Sequence, residues 1–167
     1  MEHRRSDSAR SSGLGPILLL APFVFVVHFL EEAPGFVFWF NAHVARGITA
    51  PLFWRVNLTA LAITIVVVGV EWLMRTTASA TLVVAWFSFL MLANSVLHIA
   101  GSVADRAYMP GLITAIILYL PFSIWIIARV VRRRILSVPA TAVTAAIGAL
   151  PMLVHGYLII FRGSRLF

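Results

Sequence analysis

The chain has 167 residues, 61% of them hydrophobic and only 11% charged, with 13 arginines, no lysine, six acidic residues and a formal charge of +7. A soluble domain carries about 25% charged residues, and a chain this short folded in water would expose much of its apolar surface. The composition therefore excludes an ordinary soluble globule and points to an all-α integral membrane protein. Cysteine is absent, which excludes disulfides and thiolate metal sites and leaves metal or acid/base chemistry to His, Asp, Glu or Tyr.

In chain order, residues 1–13 are polar, basic and Ser-rich, as in a disordered tail. The first apolar run covers residues 14–33. Three arginines precede it, as in a signal peptide, but Glu31, Glu32 and Pro34 stand where a small-residue cleavage site would be, so it reads as a retained helix. Residues 36–53 are aromatic and broken by Gly47 and Pro51, which predicts an interfacial or re-entrant segment with Phe38, Trp39 and Phe40 at headgroup depth. Four further runs, over residues 54–74, 80–102, 110–129 and 139–161, match a hydrocarbon core of about 30 Å. Pro121 and Pro151 fall inside the last two and predict kinks. Residues 163–167 form a short tail. The expectation is one domain, a bundle of about five transmembrane helices over residues 14–162, with no internal repeat.

Orientation follows from the arginines. With the amino terminus inside, the inner segments hold eight of them (Arg4, Arg5, Arg10, Arg75, Arg129, Arg132, Arg133, Arg134) and the outer segments five (Arg46, Arg55, Arg106, Arg162, Arg165). That bias predicts a cytoplasmic amino terminus and an external carboxyl terminus. Because these arginines stand singly or in one juxtamembrane run, membrane lipid and not nucleic acid is the expected partner. The arginine-only, alanine- and valine-rich usage suggests a bacterial plasma membrane.

With depths assigned, the polar residues of the spans gather at one side. His28, Glu31 and Glu32 end the first span; Asn57 begins the second; Asn94 and His98 come late in the third; Tyr108 precedes the fourth; His155 is late in the fifth. Glu71 is the exception, and an i,i+4 ion pair with Arg75 accounts for it. Ionisable groups at such depth cost about 2.5–3.5 kcal/mol each on insertion, so they usually face the bundle interior and carry function. His28, Glu31 and Glu32 stand at i, i+3 and i+4 on one helical face, where an imidazole and a carboxylate can share a metal or pass a proton. Asn94 and His98, four apart, can present an amide and a second imidazole to the same pocket. The plainer alternatives are helix-end solvation for His28, Glu31 and Glu32, interhelical hydrogen bonding for Asn94 and His98, and packing or hydrogen bonding for His155. Tyr108-Met109-Pro110-Gly111 suits a turn and helix start, although the Tyr108 hydroxyl could reach over the site. His43 and Arg46 read as solvated loop residues.

These residues carry a likeness. His28-Phe29-Leu30-Glu31-Glu32, a later histidine at His98, and Tyr108-Met109-Pro110-Gly111 occur in the order found in the family of integral membrane proteins named for its HxxEE motif, which the chain resembles from its first span through its fourth. The resemblance implies that His28, Glu31, Glu32, His98 and Tyr108 belong together as the family's characteristic residues; it implies no activity.

Three functions remain open. One is a membrane-embedded enzyme in which His28, Glu31 and His98 hold a divalent metal such as zinc or iron, with Glu32 as base and Tyr108 beside it, Asn94, Asn57, Pro110, Gly111 and His155 supporting, and a lipid-like or small hydrophobic substrate. Against a di-iron centre stands the shortage of carboxylates, Asp105 being the only other plausible one. The second is a proton-coupled carrier using Glu31 or Glu32. The third is a structural or partner-binding subunit, in a homo-oligomer or with a membrane partner.

Overall fold

The computed structural model describes residues 13–44 and 47–162. The expected tails therefore lie outside the described residues, apart from Gly13, and so does Arg46. Among the described residues six helices follow one another: α1 (Pro16–Glu32), α2 (Phe36–His43), α3 (Ala50–Met74), α4 (Thr77–Asp105), α5 (Leu112–Arg132) and α6 (Val138–Arg162). No strand occurs among the described residues. Helices α3 to α6 are each long and apolar enough to cross a membrane. The α1–α2 pair, bent by 67°, makes a fifth crossing if it counts as one broken span, and a re-entrant loop otherwise. The chain is thus an all-α membrane protein of four to five spans.

Where helices begin follows from local chemistry. Of the segment expected at the interface, residues 36–43 form α2, while the last four residues belong to α3. Pro51 does not break that helix, because it sits in the first turn, where a missing N–H costs nothing. Thr49 caps the same turn, its hydroxyl accepting from the Leu52 N–H at 3.3 Å. Helix α4 starts at a reciprocal cap between Thr76 and Ser79.

Helix α4 is the centre of the bundle: 56% of its most apolar stretch is buried, against 17% for α6. Between helices already in lipid, close packing and interhelical hydrogen bonds supply the cohesion. Both occur here. A Cβ on Gly148 of α6 would lie 2.3 Å from the Ala85 carbonyl oxygen of α4, so the backbones meet only because that position is glycine. The Trp86 indole of α4 donates to the Thr64 hydroxyl of α3 at 3.0 Å. Phe25, Phe29, Val67, Phe87, Met91 and Ile126 fill the space between α1, α3, α4 and α5.

Two helices widen where they pass the polar residues. Helix α4 contains a π turn over Ser88–Ala93, immediately before Asn94, and α5 another over Ala115–Tyr119. Pro121, lacking an N–H, cannot continue the regular ladder behind it, and the Ser95 hydroxyl of α4 comes within 3.1 Å of the Ala115 carbonyl. Such turns are frequent at functional sites.

At the other end of the bundle the expected Glu71–Arg75 ion pair does not form. Arg75 closes α3 in the left-handed conformation, with φ of 50°, which takes its side chain off the helix face; its Nε–H donates to the Trp72 carbonyl at 3.2 Å. Glu71 is buried and accepts instead from the Leu14 N–H at 3.3 Å and the Ser79 hydroxyl at 2.5 Å.

Candidate metal centre

The last turn of α1 places His28 and Glu32 one above the other, facing His98 in the second half of α4. Glu32 Oε1 lies 3.1 Å from His98 Nε2 and 3.5 Å from His28 Nε2. One ligand atom from each residue falls within 4.8 Å of the other two, and all three residues are buried. Ligands about 2.0–2.1 Å from a tetrahedral zinc stand about 3.3 Å apart, so these separations straddle what one divalent cation requires. Among the described residues, neither His28 Nε2 nor either ring nitrogen of His98 makes a hydrogen bond; His98 Nε2 is near the carboxylate but out of line with it. Buried polar atoms are nearly always satisfied, and two orphaned imidazole nitrogens beside one carboxylate oxygen match the donor set of a metal site.

Glu31 is turned elsewhere. Successive residues on a helix are about 100° apart, and that rotation sends Glu31 toward the start of α5. Gly111, the residue capping α5, offers no side-chain oxygen for the helix's first N–H groups. Glu31 supplies it, accepting from the Ile113 N–H at 3.0 Å, the Thr114 N–H at 2.8 Å, the Thr114 hydroxyl and the Tyr108 hydroxyl. A carboxylate there also meets the positive end of the helix dipole. Four donors on one carboxylate leave it little capacity for a metal, so Glu32, not Glu31, is the carboxylate that shares the pocket with the imidazoles.

Glu31 nonetheless reaches the pocket indirectly. The Thr114 hydroxyl, whose proton goes to Glu31, lies 2.8 Å from His28 Nδ1. With its one proton committed, that oxygen can only accept, so Nδ1 must carry the imidazole proton and Nε2 the lone pair. The pair of contacts thus turns the Nε2 lone pair of His28 toward Glu32 and His98. A second-sphere hydrogen bond of this kind fixes tautomer and ring orientation in metal sites.

Gly111 closes the site from above. Its φ is 95°, a left-handed value that favours glycine, and a Cβ there would lie 2.6 Å from His98 Cε1, 2.9 Å from Glu32 Cγ and 3.1 Å from His28 Cε1. Pro110 packs against Gly35, at the bend between α1 and α2, where an added Cβ would come within 2.9 Å of the Pro110 ring. Tyr108 is half-exposed and binds Glu31, not the histidines. Desolvation and the Glu31 carboxylate push its phenol up to about 12.

Below the cluster opens a cavity of about 460 Å³, walled chiefly by apolar side chains and reached by His28 and Glu32. Asn57, Asn94 and His155 line it as well. Asn57 donates to the Phe53 carbonyl at 3.1 Å, and Asn94 Oδ1 is buried with no hydrogen bond among the described residues. His155 stacks near Phe40, ring centres 6.5 Å apart, and belongs to the cavity wall, away from the ligand atoms. His43 is not simply solvated: with the Trp39 indole it holds Asp105, at 3.0 and 2.7 Å, and so ties α2 to the end of α4. That pairing keeps Asp105 away from the cluster.

Two residues escape sequence reasoning. Thr114 hides in an apolar run, although a helix capped by a glycine hints that a carboxylate from elsewhere must approach its first turn. Tyr119, fully buried, lays its ring 3.9 Å from the His28 ring, its hydroxyl without a hydrogen bond among the described residues. Nothing local distinguishes it from a core aromatic.

The model of a family described as protein of unknown function with HXXEE motif matches residues 19–126, from α1 into α5. No curated protein and no solved structure matches the chain.

Proposed function

The chain belongs to the family of proteins of unknown function with the HXXEE motif, and from that premise we propose that it is a membrane-embedded, metal-dependent enzyme acting on a lipid-like or small hydrophobic substrate. One observation carries the reading: His28 Nε2, Glu32 Oε1 and His98 Nε2 converge at metal-ligand spacing in the buried interior, the two imidazole nitrogens without a hydrogen bond among the described residues, and His28 and Glu32 line an apolar cavity. A divalent cation such as zinc or iron, held by these three, would leave a coordination position open and bring the pKa of a bound water to about 7. The protein's own part is to fix the ligands, through Glu31, Thr114 and Gly111, and to offer a cavity in which an acyl or isoprenoid chain loses contact with water. Hydrolysis or oxidation of such a substrate is the chemistry the donor set supports. The arginine bias supports placing the amino terminus in the cytoplasm of a bacterial cell.

The test is to load purified protein with zinc or with iron(II), incubate it with a total lipid extract in detergent micelles, and compare products by mass spectrometry. A lipid species that appears with wild type and not with His98→Ala, or with chelator present, is expected. Unchanged lipid profiles from metal-loaded wild type would overturn the enzyme reading and leave a structural metal site. A second reading, a proton-coupled carrier, draws on the placement of Glu32 between two imidazoles; it requires proton-dependent uptake that chelators leave unchanged.

A further inference from the structure

At the end of the bundle away from His28 lies a second cavity, of about 250 Å³, lined by Leu14, Gly15, Glu71, Arg75, Arg129 and Arg133 among others. Fourteen residues of helix α3 separate Asn57 of the first cavity from Glu71 of the second, a rise of roughly 21 Å. Three guanidinium groups thus face one carboxylate, and that carboxylate is already engaged by the Leu14 N–H and the Ser79 hydroxyl. Arg129 is half-buried; its Nε–H donates to the Leu14 carbonyl at 3.1 Å and its guanidinium lies 5.9 Å from the Trp125 ring centre. Arg75 is likewise steered by its own turn, through the Trp72 carbonyl and a 5.1 Å approach to the Trp72 ring. Neither Arg75 nor Arg129 meets a carboxylate among the described residues, so both terminal amino groups of each remain for an anion. Gly15, with φ of 91°, makes the room: a Cβ there would lie 2.9 Å from Arg129 Nη2.

We infer that this cavity is a binding site for a phosphate-type oxyanion, supplied by an anionic phospholipid headgroup or by free phosphate, with Arg75 and Arg129 as the principal donors. Planar guanidinium groups whose Nε is fixed by backbone carbonyls are pre-organised to present their remaining N–H groups to phosphate oxygens. Apolar helix surface flanks the site, where the acyl chains of a bound lipid would lie, and juxtamembrane arginines are where anionic headgroups gather.

The experiment measures thermal unfolding of the detergent-purified full chain while three probes are titrated: short-chain phosphatidylglycerol, inorganic phosphate, and short-chain phosphatidylcholine as the zwitterionic control. Arg75→Gly suits the test because glycine favours the left-handed conformation that Arg75 adopts, so the guanidinium is lost without disturbing the turn; Arg129→Lys is the second variant. A saturable upward shift of the unfolding temperature is expected with phosphatidylglycerol, its midpoint moved about tenfold higher in Arg75→Gly, the loss of one charge-assisted hydrogen bond. A shift with phosphatidylglycerol alone assigns the site to a lipid headgroup, and an equal Arg75-dependent shift with inorganic phosphate assigns it to the free anion. No shift with either anion, the same shift with phosphatidylcholine, or equal midpoints in wild type and both variants would overturn the site.

Discussion

Each end of the bundle is built around a buried glutamate, and the two differ in how their surroundings answer the charge. Glu71 is satisfied: a backbone N–H and a serine hydroxyl take its oxygens, and it joins the start of α1 to the end of α3 and the start of α4. Glu32 faces two imidazoles whose Nε2 atoms find no hydrogen bond among the described residues, and it borders a cavity. Burial and residue type are the same, so depth in an apolar bundle does not mark a functional carboxylate. What sets Glu32 apart is its unsatisfied neighbours: Glu71 has donors enough, and Glu32 has imidazoles of the kind that can bind a metal.

The largest effect is expected at Gly111, where an added Cβ would meet all three cluster residues. Gly111→Ala imposes a side chain on a left-handed backbone and drives a Cβ into His98, so a loss of about 2–4 kcal/mol is expected, together with metal binding; thermal unfolding and metal content of the same sample report both. Glu71→Ala should cost about 1–3 kcal/mol, by stranding the buried Leu14 N–H, while metal content stays at the wild-type level. A parallel loss of metal in Glu71→Ala would merge the two ends into one structural network. Thr114→Val removes the oxygen that orients His28, and metal affinity should fall about 10–100-fold with Thr114→Ser close to wild type, as read by competition with a chromophoric chelator.

The smallest effect is expected at Tyr108. Its phenol is raised from the usual 10 to about 12 in the folded chain, so the folded state holds that proton more tightly than the unfolded one. Stability from this contact is complete below pH 10 and is lost as pH climbs from 10 to 12. Alkaline unfolding of Tyr108→Phe should therefore lack part of the loss seen in wild type over that interval. Identical pH profiles would remove the Tyr108–Glu31 contact from the account.

Sequence reasoning reaches the helical membrane class because apolar runs of span length leave few alternatives, and it gathers His28, Glu32 and His98 because intramembrane ionisable residues are scarce. It does not distinguish the two adjacent glutamates. Glu31 and Glu32 both lie near His28 on a helix wheel, and only the position of α5 decides which meets His98 and which caps a helix. Thr114 and Tyr119 are invisible for the same reason: their roles arise from α5 packing on α1, about 80–90 residues away in the chain. Pro51 misleads in the opposite direction, since a proline that breaks a helix and one that starts it look alike until the cap at Thr49 is seen.

Whether Glu32 belongs to a metal site and Glu71 to the scaffold is decided by elemental analysis of wild type, Glu32→Gln and Glu71→Gln, purified side by side without chelator. Near one divalent metal per chain is expected in wild type and Glu71→Gln, and almost none in Glu32→Gln. Equal metal in all three, or none in any, would contradict that assignment.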